Sequence, residues 1–218
     1  MDWGGHSGGL EIRKRASGAM ALHGRFPYGK RAVLSDGGKR GRPQKEVFAP
    51  KAFGYRVNDP EAEIHLLIGH SYDKPLASKG AGSLTLTDTD EALTFEAEIL
   101  PEIQASTWWK DFLAQYQAGL IGGISPGFRI PPPVTVPNAE KIVAEDPSQG
   151  RAMIRTVFQA LLFELSIVTQ PAYQETLLEL FTGDKPEDTP EARAWDAKAV
   201  PEENSFPALQ RTLNRWRL

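Results

Sequence analysis

Apolar positions along the chain fall into short runs. Ala16 to Leu22, Glu46 to Phe48 and Glu63 to Ile68 are apolar or alternating and are bounded by glycine and proline, which predicts strands. Ser83 to Thr87 and Leu93 to Ile99 alternate with period two. Thr87-Asp-Thr-Asp-Glu91 supplies turn residues between them, so the pair predicts a hairpin. Pro50-Lys-Ala-Phe53 predicts a single helical turn, because proline suits a first helical position. The strongest helical signature follows Pro101 and Glu102. There Ala105, Trp108, Trp109, Phe112, Leu113 and Tyr116 recur at helical spacing up to Gly119, a C-cap residue. The aromatic stripe reads as core packing rather than a ligand cage.

Beyond that helix the pattern returns to strands. Leu120 to Ile130 is an apolar strand interrupted by Gly122, Gly123 and Gly127. Pro131-Pro-Pro-Val-Thr-Val-Pro137 must leave the sheet, since successive prolines remove ladder donors. Ala139 to Arg151 reads as a polar excursion. Ala152 to Phe158 and Leu161 to Val168 predict two more strands, and Pro171-Ala-Tyr173 opens a short helix to Phe181. Thr182 to Asn204 is charged and rich in proline, as linkers are. Phe206 to Leu218 predicts a small amphipathic helix through Leu209, Leu213 and Trp216. The expected organisation is a disordered start over 1–9, one domain over 10–181 and a tail over 182–218. The expected class is mostly β with flanking helices, α+β.

Composition narrows the function. Among 218 residues there are 20 glycines and 17 prolines, which weighs against a helical bundle or coiled coil. The absence of cysteine excludes a disulfide scaffold, thiolate metal sites and a cysteine nucleophile. A net charge of −3 weighs against a globally basic nucleic-acid binder. The charge is unevenly spread, however. From Leu10 to Lys45 there are ten basic residues against two acidic ones, a net of +8. That segment reads as a solvated hairpin and loop, with contact to an acidic partner as the alternative. No apolar run approaches the ~20 residues of a membrane helix. The start of the chain lacks the apolar stretch of a secretory signal. A soluble cytoplasmic protein, or one packaged inside something assembled there, is expected.

Three polar residues interrupt apolar surroundings. His70 closes the run Ile64-His-Leu-Leu-Ile-Gly-His70. Ser125 lies within Gly122-Gly-Ile-Ser-Pro-Gly-Phe128. Glu164 sits in Leu161-Leu-Phe-Glu-Leu-Ser-Ile-Val168. On a regular strand Glu164 shares a face with Leu162, Ser166 and Val168, so at least partial burial is expected. An unpaired buried charge costs several kcal/mol and therefore needs a partner. An imidazole would serve, and the carboxylate would orient the ring. Small residues around Ser125 allow a substrate backbone to approach and backbone N–H groups to face an oxyanion. A serine nucleophile needs a base at neutral pH, and His70 leads the few histidines.

Each residue also has a plainer role open to it. Ser125 could be a turn serine, His70 a capping histidine, and Glu164 the partner of an arginine or lysine. His65 competes with His70. If 64–70 were one strand, the two would face opposite sides, and spacing does not say which enters the site. No phosphate-binding glycine loop is present.

The order of segments resembles the prohead maturation proteases of tailed bacteriophages, distantly related to the herpesvirus capsid-assembly proteases. The resemblance is carried by Glu46-Val-Phe-Ala-Pro-Lys-Ala-Phe53, by Leu67-Ile-Gly-His-Ser-Tyr-Asp73 with Pro75-Leu76, by Gly119-Leu-Ile-Gly-Gly-Ile-Ser-Pro-Gly-Phe128, and by Phe163-Glu-Leu-Ser-Ile-Val-Thr-Gln-Pro-Ala172. It spans roughly 15–178. It implies a compact β-barrel of the herpesvirus-protease type and a serine endopeptidase with Ser125 as nucleophile, His70 as base and Glu164 as third member, leaving His65 structural. Gly127 and Arg129 become candidates for the oxyanion site. No cofactor or metal is implied.

The implied partners are the major capsid protein and its scaffolding region, the portal, and the enzyme itself through self-cleavage. Membrane and nucleic acid are not among them. The implied location is the host cytoplasm, inside the immature procapsid. A catalytically inactive capsid-assembly or scaffold protein of the same fold is the alternative. Two features depart from the family pattern: Ser71 stands where Asp commonly follows the histidine, and Lys30 to Arg42 forms a long basic insert.

Overall fold

The computed structural model describes residues 20–39 and 41–169 in full, together with the backbone of 2–3 and 10–14. The helix expected before Phe181 and the tail 182–218 with its terminal helix lie outside the described residues. So does the start of the chain apart from Asp2–Trp3, whose backbone forms a short strand, β1.

The described strands form three sheets. The first runs β1, β10 (Gly123–Arg129), β13 (Leu161–Val168), β6 (His65–Ile68), β7 (Ser71–Ser78). The second runs β11 (Glu140–Ala144), β12 (Met153–Val157), β5 (Gln44–Phe48), β4 (Ala32–Ser35). The third runs β2 (Leu10–Lys14), β3 (Met20–Pro27), β9 (Ala92–Ile99), β8 (Leu84–Asp88). The mostly β, α+β expectation holds. The compact barrel does not appear among the described residues. A barrel needs its end strands to pair, whereas each sheet here ends on two different edge strands.

Alternation explains how the sheets bury a common core. In β9 the side chains of Leu93, Phe95, Ala97 and Ile99 are buried while Thr94, Glu96 and Glu98 lie between them. The sheets meet at a cluster of phenylalanines. Phe48 of β5 packs 5.3 Å from Phe26 of β3 and 5.2 Å from Phe128 of β10, each edge to face. Phe53, from the turn after β5, closes the cluster at 5.0 Å from Phe48. These rings bury large apolar areas and hold β10 against the other two sheets.

Other elements sharpen the sequence reading. The turn at Pro50–Phe53 leads into a short helix, α1 (Gly54–Asn58). The predicted long helix is two, α2 (Pro101–Gln104) and α3 (Thr107–Gln117). Ser106 divides them because its hydroxyl accepts a hydrogen bond from Trp109 N at 3.2 Å and so starts a new helix. Trp109, Phe112 and Tyr116 are buried, so the aromatic stripe is core.

Strands β4, β7 and β11 were not expected. All three lie at sheet edges, where polar residues and proline are tolerated. Much of the basic segment is absorbed by the second sheet. Lys45 and Arg31 both approach the Glu145 carboxylate, at 2.5 and 3.9 Å, and Arg42 donates to Arg151 O.

Candidate active site

β10 and β13 are antiparallel neighbours, and their register assembles the site. Ser125 lies opposite Ser166, and Gly127 opposite Glu164. Strand alternation turns Ile124 and Phe128 into the core. It turns Ser125, Gly127 and Arg129 to the other face, beside Ser166 and Glu164. The register slips after Gly127, since Phe128 pairs with Leu162 and leaves Phe163 as an unpaired bulge residue. A bulge of this kind re-aims side chains. It explains why Leu162, two residues from Glu164, faces the core with Phe128 instead of sharing the Glu164 face as a regular strand would require.

His70 arrives from the other side of β13. β6 runs parallel to β13 and ends at Ile68, which pairs with Ser71 across a two-residue turn. Both turn residues are left-handed, Gly69 at φ 58° and His70 at φ 60°. Such turns suit the twist of a hairpin, and histidine is among the residues that tolerate this region. The premise that 64–70 is one strand therefore fails. The chain leaves the strand two residues before His70, so parity no longer sets the direction of its ring.

The His70 ring meets Glu164 directly, with Nδ1 2.8 Å from Oε1. The carboxylate is fully buried, and its other oxygen accepts a hydrogen bond from Ser166 Oγ at 2.7 Å. Ser166 Oγ in turn accepts from His70 N at 2.9 Å. Ser166 thus fastens both the backbone and the carboxylate partner of His70, and Gly69 N adds a bond to Ile167 O at 3.0 Å. Ser125 is 4% exposed, and directly opposed residues of an antiparallel pair have α-carbons ~5 Å apart. The serine therefore stands directly across the ladder from Ser166 and two residue pairs from Glu164.

Gly127 completes the packing. A β-carbon there would collide with Oε1 of Glu164, so only glycine leaves room for the carboxylate. Arg129 is farther along β10, opposite Leu161, with its guanidinium carbon 5.5 Å from the Phe163 ring.

His65 is not part of this group. The ladder sets it beside Glu164, yet its ring packs edge-on against Tyr72 at 5.7 Å, and Nδ1 lies 3.9 Å from Glu63. Tyr72 sits where β7 bulges away from β6, between the pairs Leu67–Pro75 and Ile68–Ser71. Partial burial pushes its phenol above the usual range, and the Glu164 carboxylate adds to the shift while Arg129 and Arg56 oppose it.

A family model described as caudovirus prohead serine protease matches residues 35–188. The chain belongs to that family. No curated protein and no solved structure matches it. Membership in the prohead serine proteases makes it a serine protease of phage capsid maturation, whose partners are capsid or scaffold proteins. The matched segment contains His70, Ser125 and Glu164. Among the described residues, no helix is long and apolar enough to cross a membrane.

Sequence reasoning assigned no role to Ser166. Its signal was present: Glu164 and Ser166 are two polar residues at i and i+2 in an apolar strand. Two such neighbours on one face can satisfy each other.

Proposed function

We propose that the chain is an endopeptidase of the Ser-His-Glu type. The observation that carries this reading is the 2.8 Å contact of His70 Nδ1 with a fully buried Glu164, two residue pairs along the ladder from Ser125. With its proton on Nδ1 and held by Glu164, the ring presents Nε2 as the base. Ser125 Oγ attacks the scissile carbonyl as Nε2 takes its proton, and the imidazolium then protonates the leaving amine. Glu164 holds the tautomer and stabilises the imidazolium. Water repeats the sequence to release the acyl group. Backbone N–H groups around Gly127 are the candidate oxyanion donors. Arg129 was a further candidate by sequence, and its position near Phe163 fits a substrate role better.

Among the described residues the outer edge of β10 is covered only by β1, opposite Gly127 and Phe128. The edge at Ser125 can therefore take an extended peptide as an added strand. Such a peptide fits the scaffolding region of the major capsid protein, a separate scaffold, the portal or another copy of the enzyme. The enzyme would act inside the immature procapsid in the host cytoplasm.

Co-expression with the neighbouring capsid gene tests this, with mass spectrometry of the capsid protein's N-terminus and of the enzyme itself. Wild type should yield trimmed capsid protein and self-processed enzyme, and Ser125→Ala neither. Identical capsid termini with both would favour an inactive assembly protein of the same fold.

A further inference from the structure

We propose that Arg56, Phe163 and Arg129 form a subsite for an acidic side chain of the peptide substrate, two to four residues from the scissile bond. The proposal rests on the endopeptidase reading above. Phe163 is the bulge residue next to Glu164, and its ring carries two cations. The guanidinium carbon of Arg56 lies 4.5 Å from the ring centroid and that of Arg129 lies 5.5 Å away. Aromatic faces attract guanidinium groups, but they do not neutralise them.

Neither arginine has a carboxylate partner among the described residues. Arg56 donates from Nε to Leu162 O at 2.6 Å and from Nη2 to Glu63 O at 2.8 Å, both of them backbone carbonyls. The Glu63 side chain turns elsewhere, accepting from Gly80 N and lying near His65. Glu164 has both oxygens engaged by His70 and Ser166. Two positive groups converging on one ring would ordinarily be offset by an acid. A ligand carboxylate could supply one, and planar guanidinium groups match carboxylate geometry.

Position links this pair to the chemistry. Arg129 is exposed and lies four residues beyond Ser125 on the same strand, about 13 Å away at ~3.3 Å per residue. Its guanidinium leans back over Phe163. A peptide extended along this face, with its scissile carbonyl at Ser125, therefore delivers a side chain to the arginines two to four residues away. Tyr72 marks the border, since its phenol feels Glu164 as well as both arginines. Arg56 has a structural duty as well, tying α1 to β13 through Leu162 O, so Arg129 is the cleaner residue to change.

The test uses peptide pairs spanning a cleavage site mapped on the capsid protein. The two members differ only by Glu or Gln at each of the four positions on either side of the bond. Wild type should favour Glu at one position by roughly 10- to 100-fold in kcat/KM, the effect of a charge-assisted pair, and the preference should shrink as salt is raised. Arg129→Gln should bring that ratio close to one, while Arg129→Lys retains part of it. Cleavage by wild type without any Glu preference overturns the subsite alone. Equal losses on Glu and Gln peptides in Arg129→Gln also overturn it, and would assign the residue to the oxyanion. If wild type leaves the capsid protein uncut, so that no site can be mapped, the endopeptidase reading fails and takes the subsite with it.

Discussion

Gly127 and Glu164 face each other across the β10–β13 ladder so closely that the carboxylate fills the space where a side chain at 127 would stand. The carboxylate cannot easily retreat, since it is fully buried and bonded at both oxygens. Gly127→Ala should therefore displace Glu164 from His70. We expect a loss of about 1–3 kcal/mol in stability, the usual cost of overpacking, and a far larger proportional loss of activity. Wild-type processing by a folded Gly127→Ala protein would show that the Glu164 position is not needed.

Ser125→Ala removes one hydroxyl beside glycines and should leave the melting temperature nearly unchanged. Processing should fall by several orders of magnitude. His70→Ala should be nearly as damaging, and the double variant no worse than either, because the residues act as a unit. His65→Ala should keep most of its activity, since its ring packs on Tyr72 and Glu63. Cleavage assays on the four purified proteins decide, and an inactive His65→Ala beside an active His70→Ala would reverse the assignment of the base.

Glu164→Gln keeps the volume but removes the charge behind the imidazolium. We expect activity to fall by about 10⁴-fold, the scale known for the carboxylate-to-amide change in the chymotrypsin triad. The melting temperature should change little, because burying a neutral amide relieves the desolvation of an ion. A strongly lowered melting temperature with normal specific activity would make Glu164 purely structural.

Ser166→Ala should act through His70 instead of on substrate. It strips the hydroxyl that His70 N and Glu164 Oε2 share. Leaving buried groups unmatched costs about 1–3 kcal/mol. The kinetic signature should be a lower kcat with little change in KM, and Ser166→Thr should restore part of it. A raised KM at constant kcat would contradict a positioning role.

The pair Tyr28 and Asp88 offers a test of pH dependence away from the site. Burial raises the Asp88 carboxyl above its usual range, and the Tyr28 hydroxyl, 2.5 Å from Oδ1, pulls it back. A group whose pKa is higher in the folded state stabilises fully below its unfolded value. That contribution is lost as pH rises through the folded value. Tyr28→Phe lifts the folded value further, so its penalty should grow across that window. Urea titrations should show a loss of about 1 kcal/mol at pH 7, modest because Asp88 is only part-buried, and a smaller loss near pH 3. A penalty independent of pH would mean that Asp88 stays charged throughout.

Much of this site was legible from residue type and spacing. A carboxylate in the most apolar strand required a partner, and Ser125 among glycines marked a place where a backbone could approach. What could not be read was how the pieces meet. The bulge at Phe163 breaks the two-residue period on which the assignment of faces rested. The left-handed turn at Gly69 and His70 removes the parity that set His65 against His70. Edge strands β7 and β11 carry Pro75 and exposed residues, so their patterns are weak. The split between α2 and α3 depends on one serine hydroxyl, invisible beneath the aromatic repeat. Closure of a barrel is a property of strand order, which local patterning does not encode.

The parallel pairing of β6 with β13 joins stretches of chain nearly a hundred residues apart, and β10 must dock on the opposite side of β13. Such distant pairings are late events in folding, because loop-closure entropy must be met before they contribute. His70, Glu164 and Ser125 therefore come together only once β6 and β10 have both paired with β13. A nascent or partly folded chain would carry all three residues without the arrangement proposed above for hydrolysis. On the Ser-His-Glu reading, the chain would gain its ability to cut with these long-range pairings rather than at synthesis.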